Sequence, residues 1–268
     1  MYTIYEPKSE VLSSYISEFT ILKKDNFSPI NYLAFPHSVS SIVFYSQTKF
    51  LVDKERLILS KTERKNNLIA VIGKYLSPLV LSYEHAVDEI GINFTELGIN
   101  YFFEDNFDKI AGKPFQFLNN KEWSAFAKQL FEIEEGSRIG FLESFLLTQI
   151  KSKDLSQIKQ VLELMENDFS IKVNEIALRM KVSAKTINRL FHKYIGCSPI
   201  AYKKILRFRS SVSMHSEQIN LTELCLSNEY YDSPHFTNEF KKLTSSNPRD
   251  FFTQLTKVDN KEFPYVFI

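Results

Sequence analysis

The chain has only two cysteines, Cys197 and Cys225, far apart and without a CxxC pair. That argues against a disulfide framework or a zinc site and reads as reduced, partly buried thiols. Glycine is scarce, with seven in 268 residues, and none falls into a GxGxxG fingerprint, a Walker loop or a GxSxG elbow. The tight turns that cradle phosphates or present a nucleophilic serine are therefore missing. His37 and His85 are the only histidines of the first half, and no HxH spacing occurs. A metal-dependent enzyme would need clustered histidines with a carboxylate, so no metal, no cofactor and no enzyme activity are expected. No apolar run is long enough to span a membrane, and the start MYTIYEPKSE lacks the charged-then-apolar pattern of a signal peptide. A soluble cytoplasmic protein is the expectation.

What is present is core and unevenly placed charge. At 44% hydrophobic residues the chain can bury one large core or two ordinary ones. The net charge of +1 conceals 15 Lys/Arg against 19 Asp/Glu in residues 1–150, and 18 against 13 in 151–268. Within 171–215 ten bases face a single acid, Glu175. Charge runs are usually a solvated surface, but this one cannot neutralise itself, and a polyanionic partner is the better reading.

The two halves are written differently. IVFYS (42–46), LILS (57–60), PLVLSY (78–83) and IGINF (90–94) are short, β-branched and aromatic, and separated by polar turns. They predict an antiparallel barrel or sandwich. Helices follow over 121–135 and 137–150, and the apolar face of 139–150 suits either a dimer contact or a cover for the barrel. The aromatics of this half, among them Phe35, Phe44, Tyr45, Tyr75 and Tyr83, read first as ordinary core, with a ligand pocket as the alternative. Past the polar stretch KSKDLS (151–156) the text is almost wholly helical, with Gly196 its only glycine. The fold class is thus α+β, divided at 150/151 into a β-rich unit and an all-α unit. The apolar end EFPYVFI (262–268) suits docking on the protein, with a partner site as the alternative.

The helical half repeats itself. Phe191, Gly196, Pro199 and Tyr202 return as Phe240, Ser245, Pro248 and Phe251. Each copy opens with a short helix, VNEIALRM (173–180) or LTELCLSN (221–228), followed by a turn and a capped second helix starting at Ser183 or at Asp232/Ser233. That is a helix-turn-helix occurring twice, over about 171–195 and about 219–244, with a basic linker helix predicted over 199–214.

These hundred or so residues resemble the DNA-binding domain of the AraC/XylS family of bacterial transcription regulators. The first half more loosely resembles their sensor regions, often cupin-like barrels with a helical dimerisation segment. The resemblance implies double-stranded promoter DNA and RNA polymerase as partners, and leaves room for a small-molecule effector and a homodimer. It implies base contacts from Lys185, Asn188 and Arg189 in the first copy, and from Ser233, His235, Thr237 and Asn238 in the second. Long polar side chains on a recognition helix can read base edges in the major groove. Lys193, Lys203, Arg207 and Lys241 are expected at phosphates, which position without specifying sequence. The second copy is weaker on charge, since 216–256 holds three bases against six acids. The family's turn glycines are replaced by Lys181, Glu229 and Ser245. A cupin-like enzyme with an accessory DNA module, or a protein-interaction module, are the rival readings.

Overall fold

The structure is a computed structural model that describes all residues except 1, 25–28, 54–55, 65, 112, 216–220, 255, 259–260 and 268, with the side chains of 53 and of the segment after Gln254 also left aside. Ten strands fill the first half: β1 (Tyr2–Tyr5), β2 (Ile16–Lys24), β3 (Ile30–Ala34), β4 (Ser41–Ser46), β5 (Thr48–Asp53), β6 (Arg56–Lys61), β7 (Asn67–Ile72), β8 (Leu79–Tyr83), β9 (Val87–Phe94) and β10 (Phe115–Phe117). Among them lie the short helices α1 (Glu10–Ser13) and α2 (Phe107–Ala111), and after them come α3 (Lys121–Glu132) and α4 (Arg138–Gln149). The second half holds α5 (Ser156–Asn167), α6 (Val173–Arg179), α7 (Ala184–Tyr194), α8 (Pro199–Met214), α9 (Leu221–Ser227), α10 (Ser233–Thr244) and α11 (Pro248–Gln254), then β11 (Thr256–Val258) and β12 (Lys261–Phe267).

Two six-stranded sheets form, in the orders β1-β2-β9-β4-β7-β10 and β11-β12-β3-β8-β6-β5. Among the described residues the two sheets do not close on one another, so the expected barrel is not closed and the architecture is a sandwich. One pairing departs from the antiparallel expectation: β6 and β8 run parallel, because the intervening β7 belongs to the other sheet and the chain returns in the same direction. Residues 261–267 extend the second sheet, with Tyr265 opposite Ala34 and Phe267 opposite Tyr32. The C-terminal segment therefore docks on the first half as a strand.

Strand alternation explains the layers. Ile42 and Phe44 of β4, with Ile90, Ile92 and Phe94 of β9, face a core built with Trp123 and Phe126 of α3 and Leu142 and Leu146 of α4. Phe44 stacks on Trp123 with ring centroids 6.1 Å apart. The apolar face of 139–150 thus covers the sheet. The alternate residues Ser41, Val43 and Tyr45, and Glu89, Gly91 and Asn93, line a cavity shared with β3, β6 and β8 of the other sheet.

Residues 150–155 carry no helix, and α5 begins at Ser156. Two helical cores follow. One gathers Ile158, Val161 and Met165 of α5 with Ile176, Ile187 and Phe191, and the other gathers Phe208, Val212, Phe236, Phe240 and Phe251. Both reach into the first half: Leu97 joins the former, and Phe35 packs on Phe251 and Phe208 at 4.9 and 6.5 Å. Cys197 and Cys225 are free thiols.

Candidate nucleic-acid interface and ligand cavity

The two helix-turn-helix units share their turn bonds. Lys181 N–H donates to Leu178 O and Val182 N–H to Ala177 O; Glu229 N–H donates to Leu226 O and Tyr230 N–H to Cys225 O. Ser183 caps α7 by accepting from Thr186 N–H at 3.1 Å, and Asp232 caps α10 by accepting from His235 N–H at 2.7 Å. Pro234 sits in the first turn of α10, where its missing N–H costs nothing. The second turn is one residue longer, with Tyr230 and Tyr231 standing in place of Val182, and Tyr231 is 91% exposed.

On α7 the row Ile187, Leu190 and Phe191 is buried, and Lys185, Asn188 and Arg189 are exposed on the other side. Neither Lys185 nor Arg189 enters an ion pair among the described residues. Asn188 donates its amide back to Ala184 O at 2.9 Å, a bond that a base edge would have to replace. On α10, Ser233, His235 and Asn238 are exposed and Thr237 half-buried, beside buried Phe236 and Phe240.

The four residues expected at phosphates separate. Lys241 is exposed, and Lys193 lies with its ammonium 4.6 Å from the Tyr194 ring centre. Lys203 instead donates to Ile171 O, an internal carbonyl. Arg207 turns inward: its Nη2 donates to Glu239 Oε1 at 2.7 Å, its guanidinium covers the Tyr230 ring at 4.5 Å, and both charged side chains are close to fully buried. Charge counted along the sequence cannot distinguish a surface base from one consumed by an acid on the next helix.

A comparison with family models matches residues 176–254 to the helix-turn-helix domain family. Residues 176–254 of this chain are thus a helix-turn-helix domain. Among curated proteins the chain is 24% identical over 135 residues to the HTH-type transcriptional regulator GbdR of Pseudomonas aeruginosa strain UCBPP-PA14, a match covering 49% of this chain and 37% of that regulator. The match thus spans little more than a third of the regulator's length. Among solved structures, ToxT of Vibrio cholerae aligns over 89% of this chain and 98% of its own, at 13% identity and a TM-score of 0.49. An AraC-type regulator from Chromobacterium violaceum aligns over 35% and 87% of the two chains, at 23% identity and a TM-score of 0.33.

Between the two sheets lies a cavity of about 250 Å³. Its walls are mostly aliphatic and aromatic, and Arg209 of α8 reaches it from the helical half. His37 lines the same cavity, and burial, helped by Arg209 and Lys74, holds its ring well below the usual histidine pKa. Val39 N–H donates to His37 Nδ1 at 3.1 Å, so the neutral ring carries its proton on Nε2. Burial also pushes the Tyr75 hydroxyl upward, and that hydroxyl donates to Phe35 O at 2.8 Å. Of the first-half aromatics, Phe35, Tyr45, Tyr75 and Tyr83 line the cavity, and Phe44 and Phe94 belong to the helix-covered core. Arg209, His37 and Glu89 were not among the expected site residues. Glu89 falls just outside the strand expected over 90–94, and alternation along Val87–Phe94 places it on the same face as Asn93. The described residues contain no group of three metal-ligating side chains, and no described helix is long and apolar enough to cross a membrane.

Proposed function

We propose that the protein is a sequence-specific DNA-binding transcription regulator, with residues 151–254 as the DNA-binding unit and residues 1–150, extended by the strands β11 and β12, as a sensor for a small, largely apolar molecule. The observation that carries the reading is α7: a capped helix with its apolar row buried and Lys185, Asn188 and Arg189 exposed together on its outer side. Lys and Arg reach guanine O6 and N7, and Asn pairs with adenine, so this row suits a major groove. Lys193 and Lys241 remain as phosphate contacts, and α10 adds Ser233, His235, Thr237 and Asn238. Bound to a promoter, the protein would alter RNA polymerase recruitment.

The sensor reading rests on Arg209. It belongs to the helix joining the two DNA-binding units, yet it lines the cavity of the other half, so a ligand there touches both. Arg209 and the Nε2–H of His37 suit an acceptor or anionic group on that ligand. Selection of bound fragments from genomic DNA should enrich one sequence, and its affinity should fall steeply with salt as counterions are released. Arg189→Ala should weaken binding to that sequence about tenfold to a hundredfold, the cost of one bidentate base contact. No enrichment, or an unchanged affinity, would overturn the assignment.

A further inference from the structure

The cavity has a second polar end, and its chemistry differs from the first. Asn93 and Ser41 lie side by side, four residues along the chain from His37, the ring on which Arg209 acts, and Glu89 and Tyr45 lie side by side four residues along the same strands. At roughly 3.3 Å per residue the two ends are about 13 Å apart. Between them Val43, Gly91 and Thr20 share one register step, with Leu57 and Leu81 on the other sheet, so the middle of the wall is mostly apolar.

At the far end Glu89 keeps part of its surface open to the cavity. Its Oε2 accepts from the Tyr83 hydroxyl at 3.0 Å, and that hydroxyl lies 3.3 Å from the Tyr32 hydroxyl. Tyr45 completes the wall. Burial pushes the Glu89 carboxyl up to about 8 against the lowering effect of the Tyr83 hydrogen bond, and neighbouring Asp88 adds to the rise. Among the described residues no cation pairs with Glu89: Arg138 holds Asp88, and Lys24, which lies beyond Glu89 in the register, donates to His85 O. The Lys24 ammonium also lines this cavity but is held on His85 O, so the Glu89 carboxyl meets a tyrosine hydroxyl and no positive charge. An ammonium group supplies one, and aromatic faces add to the attraction.

We infer that the Glu89 end of the cavity binds a protonated amine, so that the effector is an amphiphile with an ammonium group on Glu89 and an apolar body running toward Arg209. This rests on the sensor reading and names the ligand class for it. Seating the ammonium converts Glu89 from its neutral to its charged form, and the released proton goes to buffer.

Isothermal titration of the full chain at pH 7 with octylamine, 8-aminooctanoate and octanoate tests this, in two buffers of different ionisation enthalpy. Octylamine and 8-aminooctanoate should bind with release of about one proton per ligand, the difference between a carboxyl near 8 and a charged one at pH 7. Glu89→Gln should weaken both at least tenfold and abolish the proton release, with octanoate unchanged. Tyr83→Phe, which keeps the carboxyl but removes its donor, should weaken the amines less and keep the release. Failure of octylamine to bind, unaltered amine affinity in a folded Glu89→Gln, or absence of proton release would each overturn the inference. Octanoate bound without the amines would leave a cavity sensor standing while removing its amine specificity. DNA affinity, measured separately, decides the regulator reading whatever the amines do.

Discussion

The two helix-turn-helix units have the same turn bonds and the same kind of cap, and they differ in what surrounds them. The first is basic, and its recognition helix exposes Lys185, Asn188 and Arg189. The second is acidic in sum and keeps an acid, Glu239, on the inner side of its recognition helix. That acid is matched by Arg207 of α8, so the base that looked like a DNA contact of the linker helix serves the fold of the second unit. The architecture is the same in both, and in the second, one acid of the recognition helix is committed to an internal bond with the linker helix.

Removing that internal bond should give the largest effect. Arg207→Ala leaves Glu239 buried beneath α8 without its cation, and breaking a buried pair from one side costs about 3–5 kcal/mol. A urea melt should show the loss, and Lys241→Ala should show almost none, since Lys241 is exposed. A fall under about 1 kcal/mol for Arg207→Ala would mean that the guanidinium is not committed to the interior.

Glycine separates the units again. Gly196 ends the first unit at φ 85°, and a Cβ there would come within 2.5 Å of the Phe107 ring, which is itself buried in the first-half core. Ser245 occupies the matching place in the second unit at φ 60°. Glycine remains where the first half packs against the turn. Gly196→Ala combines a left-handed backbone with a clash that the packed ring cannot escape, and should cost about 2–4 kcal/mol in thermal or urea unfolding. Asn100, which donates to Tyr194 O at 2.9 Å, ties the same corner.

For DNA the comparison reverses direction. Arg189→Ala should weaken binding to the selected sequence by about 1–3 kcal/mol, and Asn238→Ala by less. Both are exposed, so melting temperature should move little and affinity alone should report the difference. The opposite ranking would place most of the readout in the second unit.

Legibility followed the range of the causes. The linker helix was expected over 199–214 and runs from Pro199 to Met214, because its cap, its proline and its apolar spacing are all local. The left-handed turns at Lys181, Glu229 and Ser245 could be anticipated from the glycines they replace. The cavity is legible only in part, through Phe35, Tyr45, Tyr75 and Tyr83, whose alternative reading is a ligand pocket. In VDEIGINF the polar alternate positions suggest a face in water, and only the second sheet, through β3, β6 and β8, encloses that face as a cavity wall. Arg207 and Lys203 were misplaced for the same reason: their acceptors, Glu239 and Ile171 O, lie a helix or more away.

The smallest effect tests whether the second unit has merely drifted from its glycines or uses what replaced them. Ser245 caps α10 in the left-handed region, with its N–H donating to Lys241 O at 2.8 Å. A side chain in that conformation costs about 1 kcal/mol or somewhat more, and glycine avoids it. Ser245 is exposed, so nothing packs on its Cβ to offset the strain. Ser245→Gly should therefore raise stability by about 1 kcal/mol, read as a higher urea midpoint with an unchanged slope. DNA affinity should stay the same, because the turn backbone is already in the glycine conformation. A stability gain accompanied by altered affinity would show that the serine at this turn contributes to binding.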